Sequence, residues 1–105
     1  MTDELKLKSV YSFLGICAKA GKIRSGEFQT LEAVKNGTAA LLIVPLDASD
    51  NTKKLFTDKC TFYKVPFYMI GTKEGLGRAI GKDERSSVAV TDEGLGQALI
   101  GKIIA

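Results

Sequence analysis

Apolar residues along the chain recur at helical spacing in some stretches and form unbroken runs in others. Leu7, Val10, Tyr11, Leu14, Cys17 and Ala18 fall at i, i+3, i+4 intervals. They predict a first helix that ends at Ala20-Gly21, with the glycine as its C-terminal cap. "KIRS" (22–25) reads as a short extended link. A second helix is predicted from about Gly26 to Asn36, stopped by Gly37. "AALLIVPL" (39–46) is apolar without alternation, the pattern of a strand covered on both faces. "DASDN" supplies turn and cap formers. A third helix follows from about Asn51 to Lys64, with Thr52, Leu55, Phe56, Cys60 and Tyr63 inward, and Pro66 breaks it. "FYMI" (67–70) is the next strand. Gly71-Thr72 forms a turn with a cap, and "KEGLGRAIG" (73–81) a short helix weakened by two internal glycines. "SSVAVT" is the last strand. Thr91 or Asp92 caps a final helix with Leu95, Ala98 and Leu99 inward, and "GKIIA" is expected to fray.

Alternating helices and strands place the chain in the α/β class. Helical crossovers of this kind predict a largely parallel sheet between helical layers. The 105 residues suggest a single domain, 1–105, long enough to bury a core without staples. No repeat, linker or low-complexity segment interrupts it.

Composition narrows the chemistry. The net charge of +3 permits nucleic-acid or anion binding, yet Lys and Arg are spread among Asp and Glu and form no long basic run. The two cysteines, Cys17 and Cys60, make no C-x-x-C pair, and there is no histidine. Zinc sites of the common type and Ser-His or Cys-His nucleophiles are thereby excluded. Both thiols fall on apolar helical faces, as expected of buried free cysteines in a reducing cytosol. No apolar run reaches membrane-spanning length, and "MTDELKLK" lacks the apolar stretch of a signal peptide. A soluble intracellular protein is expected.

Three features mimic active sites. "GLGRAIG" follows a strand, but its spacing is G-x-G-x-x-x-G and no acidic residue ends the next strand. Its glycines are expected to let the helix approach the sheet closely. A flavodoxin-like enzyme or nucleotide sensor has no other support. Asp47 stands just past a strand without the neighbouring carboxylates a metal-assisted phosphoacceptor needs, so a turn or cap role is expected. The acidic pair Asp83 and Glu84 is flanked by Lys82 and Arg85 and reads as a solvated loop.

"IRSGEFQTLEAVKNG" (23–37) is the most informative stretch. With Leu31 and Val34 toward the core, Gln29 and Glu32 point away and Phe28 lies on the flank. Lys22 and Arg24 precede the helix, whose start offers unpaired N–H groups and a positive dipole end. Gly26 lets another backbone come close. Together these describe an anion-facing edge with one amide side chain able to read a base. The residues alone equally allow a turn glycine, a surface glutamine and a phenylalanine that closes the core edge.

The order "LGICAKAGKIRSGEFQTLEAVKNGTAALLIVPLDAS" then "CTFYKVPFYMIGTKEGLGRAIGKDERSSVAVTDEG" resembles the kink-turn RNA-binding ribosomal protein superfamily of L-seven-Ae and L-thirty-e, in its small bacterial YlxQ-like branch. The most specific pieces are the Gly-opened helix ending in "KNG", "LLIV" followed by "DAS", and "LGRAIG" followed by "VAV". The resemblance covers nearly the whole chain. It implies a three-layer α-β-α sandwich with a mixed four-stranded sheet. It also implies that the start of the second helix reads guanines of tandem G·A pairs at a kinked RNA loop, while the loop before the last strand covers a bulged nucleotide.

Position by position, Gly26 matches the family's glycine, and Glu27 occupies a variable position. Gln29 keeps the role of the family's Glu or Gln. Phe28 stands where Asn or Lys is usual, and Glu32 where Lys is usual. Lys82, Asp83, Glu84 and Arg85 replace an apolar patch. Phe28 stacks on a base but cannot donate to one, and Glu32 sets a negative charge near phosphates. These departures imply weaker or altered RNA specificity on the same fold. The expectation is a cytoplasmic, ribosome-associated, non-enzymatic protein without cofactor, metal or membrane attachment. In it Lys22, Arg24, Lys82 and Arg85 neutralise phosphates and Gln29 reads a base edge. The rival expectation is a protein-interaction module on this fold, with Phe28, Glu27 and Glu32 facing a protein.

Overall fold

The computed structural model describes residues 3–105. Its elements in chain order are α1 (Asp3–Lys19), β1 (Ile23–Ser25), α2 (Glu27–Lys35), β2 (Leu41–Val44), α3 (Asp50–Tyr63), β3 (Phe67–Met69), α4 (Lys73–Ala79), β4 (Val88–Val90) and α5 (Glu93–Ile104). The sheet order is β1-β4-β2-β3, with β2–β3 parallel and the β1–β4 and β2–β4 pairs antiparallel. This is a mixed four-stranded sheet with helices on both faces.

Period-two alternation of the central strands divides the core in two. Leu41, Ile43, Val88 and Val90 face α1, α4 and α5, where they meet Val10, Leu14, Cys17, Leu76, Leu99 and Ile103. Leu42, Val44 and Ala89 face α2 and α3, where they meet Ala33, Val34, Phe56 and Cys60. An unbroken apolar run is what a strand buried on both faces requires.

The largely parallel sheet expected from the crossovers is corrected. The registers make β1, β2 and β3 run the same way, as the helical crossovers α2 and α3 demand. Only β4 is reversed, and because it lies between β1 and β2 it leaves one parallel pair. The cause lies after α4. The loop doubles back along that helix, and the Arg85 N–H donates to Lys73 O at the helix start (3.1 Å). Gly77 makes this possible: a Cβ there would collide with the Asp83 carbonyl. The chain therefore re-enters the sheet from the end where β3 left it. The α4 glycines thus serve neighbours other than the sheet, since a Cβ on Gly75 would collide with the Tyr11 hydroxyl of α1.

Smaller corrections follow from packing. Ile103 is buried in the core with α1, so the expected frayed tail is the last turn of α5. Gly96 takes the inward place expected of Ala98, which is exposed; the backbone there approaches Ala40 closely. Tyr63 is exposed and meets Phe62 edge-on at 4.9 Å between ring centroids. Ser49 caps α3, and Asp92 caps α5 by accepting from Leu95 N (2.8 Å). Asp47 is a cap, as expected, but for α4: its Oδ1 accepts from Lys73 N at 2.8 Å. Among the described residues, no helix is long and apolar enough to cross a membrane.

Candidate nucleic-acid interface

Helix α2 opens on Gly26, at φ 88° and ψ 150°, a region open essentially to glycine alone. No side chain caps the helix. The Thr30 N–H, on Gly26 O at 3.0 Å, closes the first turn, so the amides of Glu27, Phe28 and Gln29 face outward unpaired. A Cβ on Gly26 would meet nothing within 4 Å, so the approach to these amides is open.

The α4–β4 loop is tied to this helix start at three points. Gly26 N donates to Ser87 O (3.3 Å). The buried hydroxyls of Thr30 and Ser87 lie 2.8 Å apart. Arg85 Nε donates to Ser25 Oγ at 3.0 Å, while its Nη1 reaches Glu84 O at 3.0 Å and Asp83 O at 3.4 Å. Thr30 Oγ1 also sits 2.8 Å from Gly26 O; if its single hydrogen goes there, Ser87 donates to Thr30. Sequence reasoning missed Thr30 and Ser87. The available signal was a hydroxyl at position 30, one turn after Gly26 and beside the inward-facing Ala33 and Val34.

Between helix start and loop lies an open cleft of about 360 Å³, lined by Ala18, Ile23, Ile80, Arg24, Ser25, Gln29, Lys82 and Arg85. Three cations and no carboxylate line it. The carboxylates are segregated elsewhere. Glu32 lines a second hollow of about 230 Å³ on the outer flank of α2, with Arg24, Phe28, Gln29 and Asn36. Asp83 and Glu84 line a third with Glu74 and Arg78. Arg24 and Gln29 thus border both the cationic cleft and the Phe28–Glu32 hollow.

Of the residues singled out in the sequence, Arg24, Gln29, Lys82 and Arg85 come together in the cleft. Gly26 forms its threshold, and Phe28 and Glu32 share the neighbouring hollow. Glu27 is exposed and lines neither. Lys22 is exposed before the far end of β1, where Ile23 pairs with Val90, and lies outside both. Arg85 is half-buried and holds three oxygens of its surroundings, so it is a fastener as well as a cation.

No group of three His, Cys, Asp or Glu able to hold a metal ion occurs among the described residues. The two thiols are free and buried. Burial pushes Cys60 up to about 11; burial first, then the Asp92 carboxylate, raises Cys17. Neither is an activated nucleophile.

Residues 8–100 match the model of the ribosomal protein L7Ae/L30e/S12e/Gadd45 family. The chain belongs to this family. The RNA-binding protein YlxQ of Bacillus subtilis (strain 168) is 43% identical over 90 residues, 86% of this chain and 90% of that protein. The RNA-binding protein YlxQ of Enterococcus faecium is 33% identical over 92 residues, 88% of each chain. A solved structure of a Bacillus halodurans protein of unknown function matches with a TM-score of 0.88 and 41% identity, covering 91% of this chain and 97% of that one. The Giardia lamblia 15.5kD RNA binding protein shares the fold, with a TM-score of 0.80 at 24% identity over 99% of this chain and 91% of that one. As an L7Ae-family chain with these relatives, the protein is not an enzyme.

Proposed function

We propose that residues 1–105 form one cytoplasmic, ribosome-associated RNA-binding domain that grips structured RNA of kink-turn geometry. The observation that carries this reading is the segregation of charge around the start of α2. Arg24, Lys82 and Arg85 line the open cleft with Gln29, while the nearby carboxylates lie outside it. A phosphate backbone entering there meets cations and the unpaired amides after Gly26, and Gln29 offers both a donor and an acceptor to a base edge. The family membership and the two RNA-binding relatives support the same reading.

A kink-turn RNA and a straight duplex of equal length, titrated over a range of salt, separate specific from general binding. The kink-turn is expected to bind more tightly and to keep its advantage as salt rises. Equal affinities that vanish together at moderate salt contradict the specific reading.

A further inference from the structure

Helix α3 runs out through "KCTFYK" (59–64), a stretch with two lysines, two aromatic rings and no carboxylate. Phe62 is 75% exposed and Tyr63 39%. Their rings stand at 78° to one another and form an open apolar notch on the surface. Asp58, the nearest carboxylate in sequence, is held by Lys54 at 3.1 Å. The side chains of Lys59 and Lys64 make no hydrogen bond or ion pair among the described residues. Lys64 is also the only non-glycine at positive φ among those residues, with φ 59° and ψ 43° at the C-terminal cap of α3. Glycine is the low-cost residue at such a cap. A lysine there costs stability and sets a cation beside the rings.

We propose that this end of α3 docks an acidic segment of a partner protein. The segment seats one apolar side chain in the Phe62–Tyr63 notch and lays carboxylates on Lys59 and Lys64. Ring geometry favours protein over nucleic acid. Bases of a single strand stack on successive, near-parallel platforms. Two rings at 78° offer a face and an edge, which grip one compact apolar side chain. A second copy of this chain, with its net charge of +3, is a poor match for a cationic patch. The site is separate from the RNA cleft. Strands β1, β2 and β3 run the same way, and α2 and α3 are the crossovers between them, so the two helices also run alike. The end of α3 therefore lies at the opposite end of the sheet from the start of α2, and neither ring lines the cleft or its neighbouring hollow. This docking neither requires nor excludes bound RNA.

The test follows amide chemical shifts of the isotopically labelled full chain during titration with a short synthetic peptide, glutamates flanking a central Leu-Leu pair. The same peptide with glutamines for glutamates, and an oligouridine strand, are titrated in parallel. The acidic peptide is expected to shift the amides of Lys59 to Lys64 with a Kd on the order of 100 μM. The glutamine peptide should bind about tenfold more weakly. Phe62→Ala is expected to weaken the acidic peptide about tenfold. Lys64→Gly separates docking from folding: it should raise the urea midpoint while weakening the peptide about threefold. No shifts at Lys59 to Lys64 with the acidic peptide at ~1 mM overturn the proposal. Equal affinities for the two peptides, or unchanged affinity in both variants, also overturn it. Larger shifts there with oligouridine than with the acidic peptide overturn it in favour of a nucleic-acid surface.

Discussion

The hydroxyls of Thr30 and Ser87 meet at 2.8 Å across 57 residues of sequence, and both side chains are buried. One sits in the first full turn of α2 and the other just before β4. Their bond joins the two segments that form the cationic cleft. Removing one partner leaves a buried hydroxyl without its mate, at about 1–3 kcal/mol. Thr30→Val, which strands the buried Ser87 hydroxyl, is expected to destabilise by that order in urea unfolding, and Ser87→Ala by less, because the Thr30 hydroxyl keeps its bond to Gly26 O. The double variant should lose less than the sum, because the unmatched group disappears. Strict additivity would mean the two hydroxyls do not interact.

Gly26 is expected to resist substitution for a backbone reason alone. Open space surrounds its missing Cβ, but φ 88° with ψ 150° strains any other residue by about 1–3 kcal/mol. Gly26→Ala should lower stability by that order in urea unfolding. Gly26→Asn should not recover it, since asparagine favours the left-handed helical region rather than this one. A neutral Gly26→Ala would contradict the strain.

Much of this was legible beforehand, for physical reasons. The run "LLIV" had no polar alternation because β2 is covered on both faces. The α2 threshold was readable because glycine and its flanking cations mark an uncapped helix start. The reversal of β4 was not legible: it depends on a loop folding back over Gly77, a contact between residues that local periodicity does not pair. Nor could spacing show that Arg85 would bond Ser25, or that Lys22 would fall outside the cleft. The meeting of the 82–85 loop with α2 was expected only through the family resemblance, while Thr30 looked like one more helix residue.

Cleft cations should report themselves in the salt dependence. Lys82→Ala and Arg24→Ala are each expected to reduce the slope of log affinity against log salt by about 1. Lys22→Ala should leave it nearly unchanged, since Lys22 lines neither hollow. Equal changes for all three would indicate diffuse attraction by the whole chain.

Cys60 gives the fold a signature in alkali. Its thiol is held up to about 11 by burial, above the usual 9.0. The unfolded chain therefore loses this proton first, so the contribution to stability is complete below pH 9 and falls as pH rises toward 11. The slope is about 1.4 kcal/mol per pH unit within that window. Urea unfolding from pH 8 to 11 should show this decline, and Cys60→Ala should show a shallower one. Equal slopes would mean that the thiol does not titrate between the two states.

The surface on which RNA touches the protein decides the proposed function. Amide chemical shifts of the isotopically labelled chain, followed during titration with a kink-turn RNA, measure this residue by residue. The largest shifts are predicted at Gly26 to Gln29, at Glu32 and at Lys82, with Lys22 and the Phe62–Tyr63 end of α3 unmoved. Shifts concentrated on α3, or none at the start of α2 under saturating RNA, would contradict it.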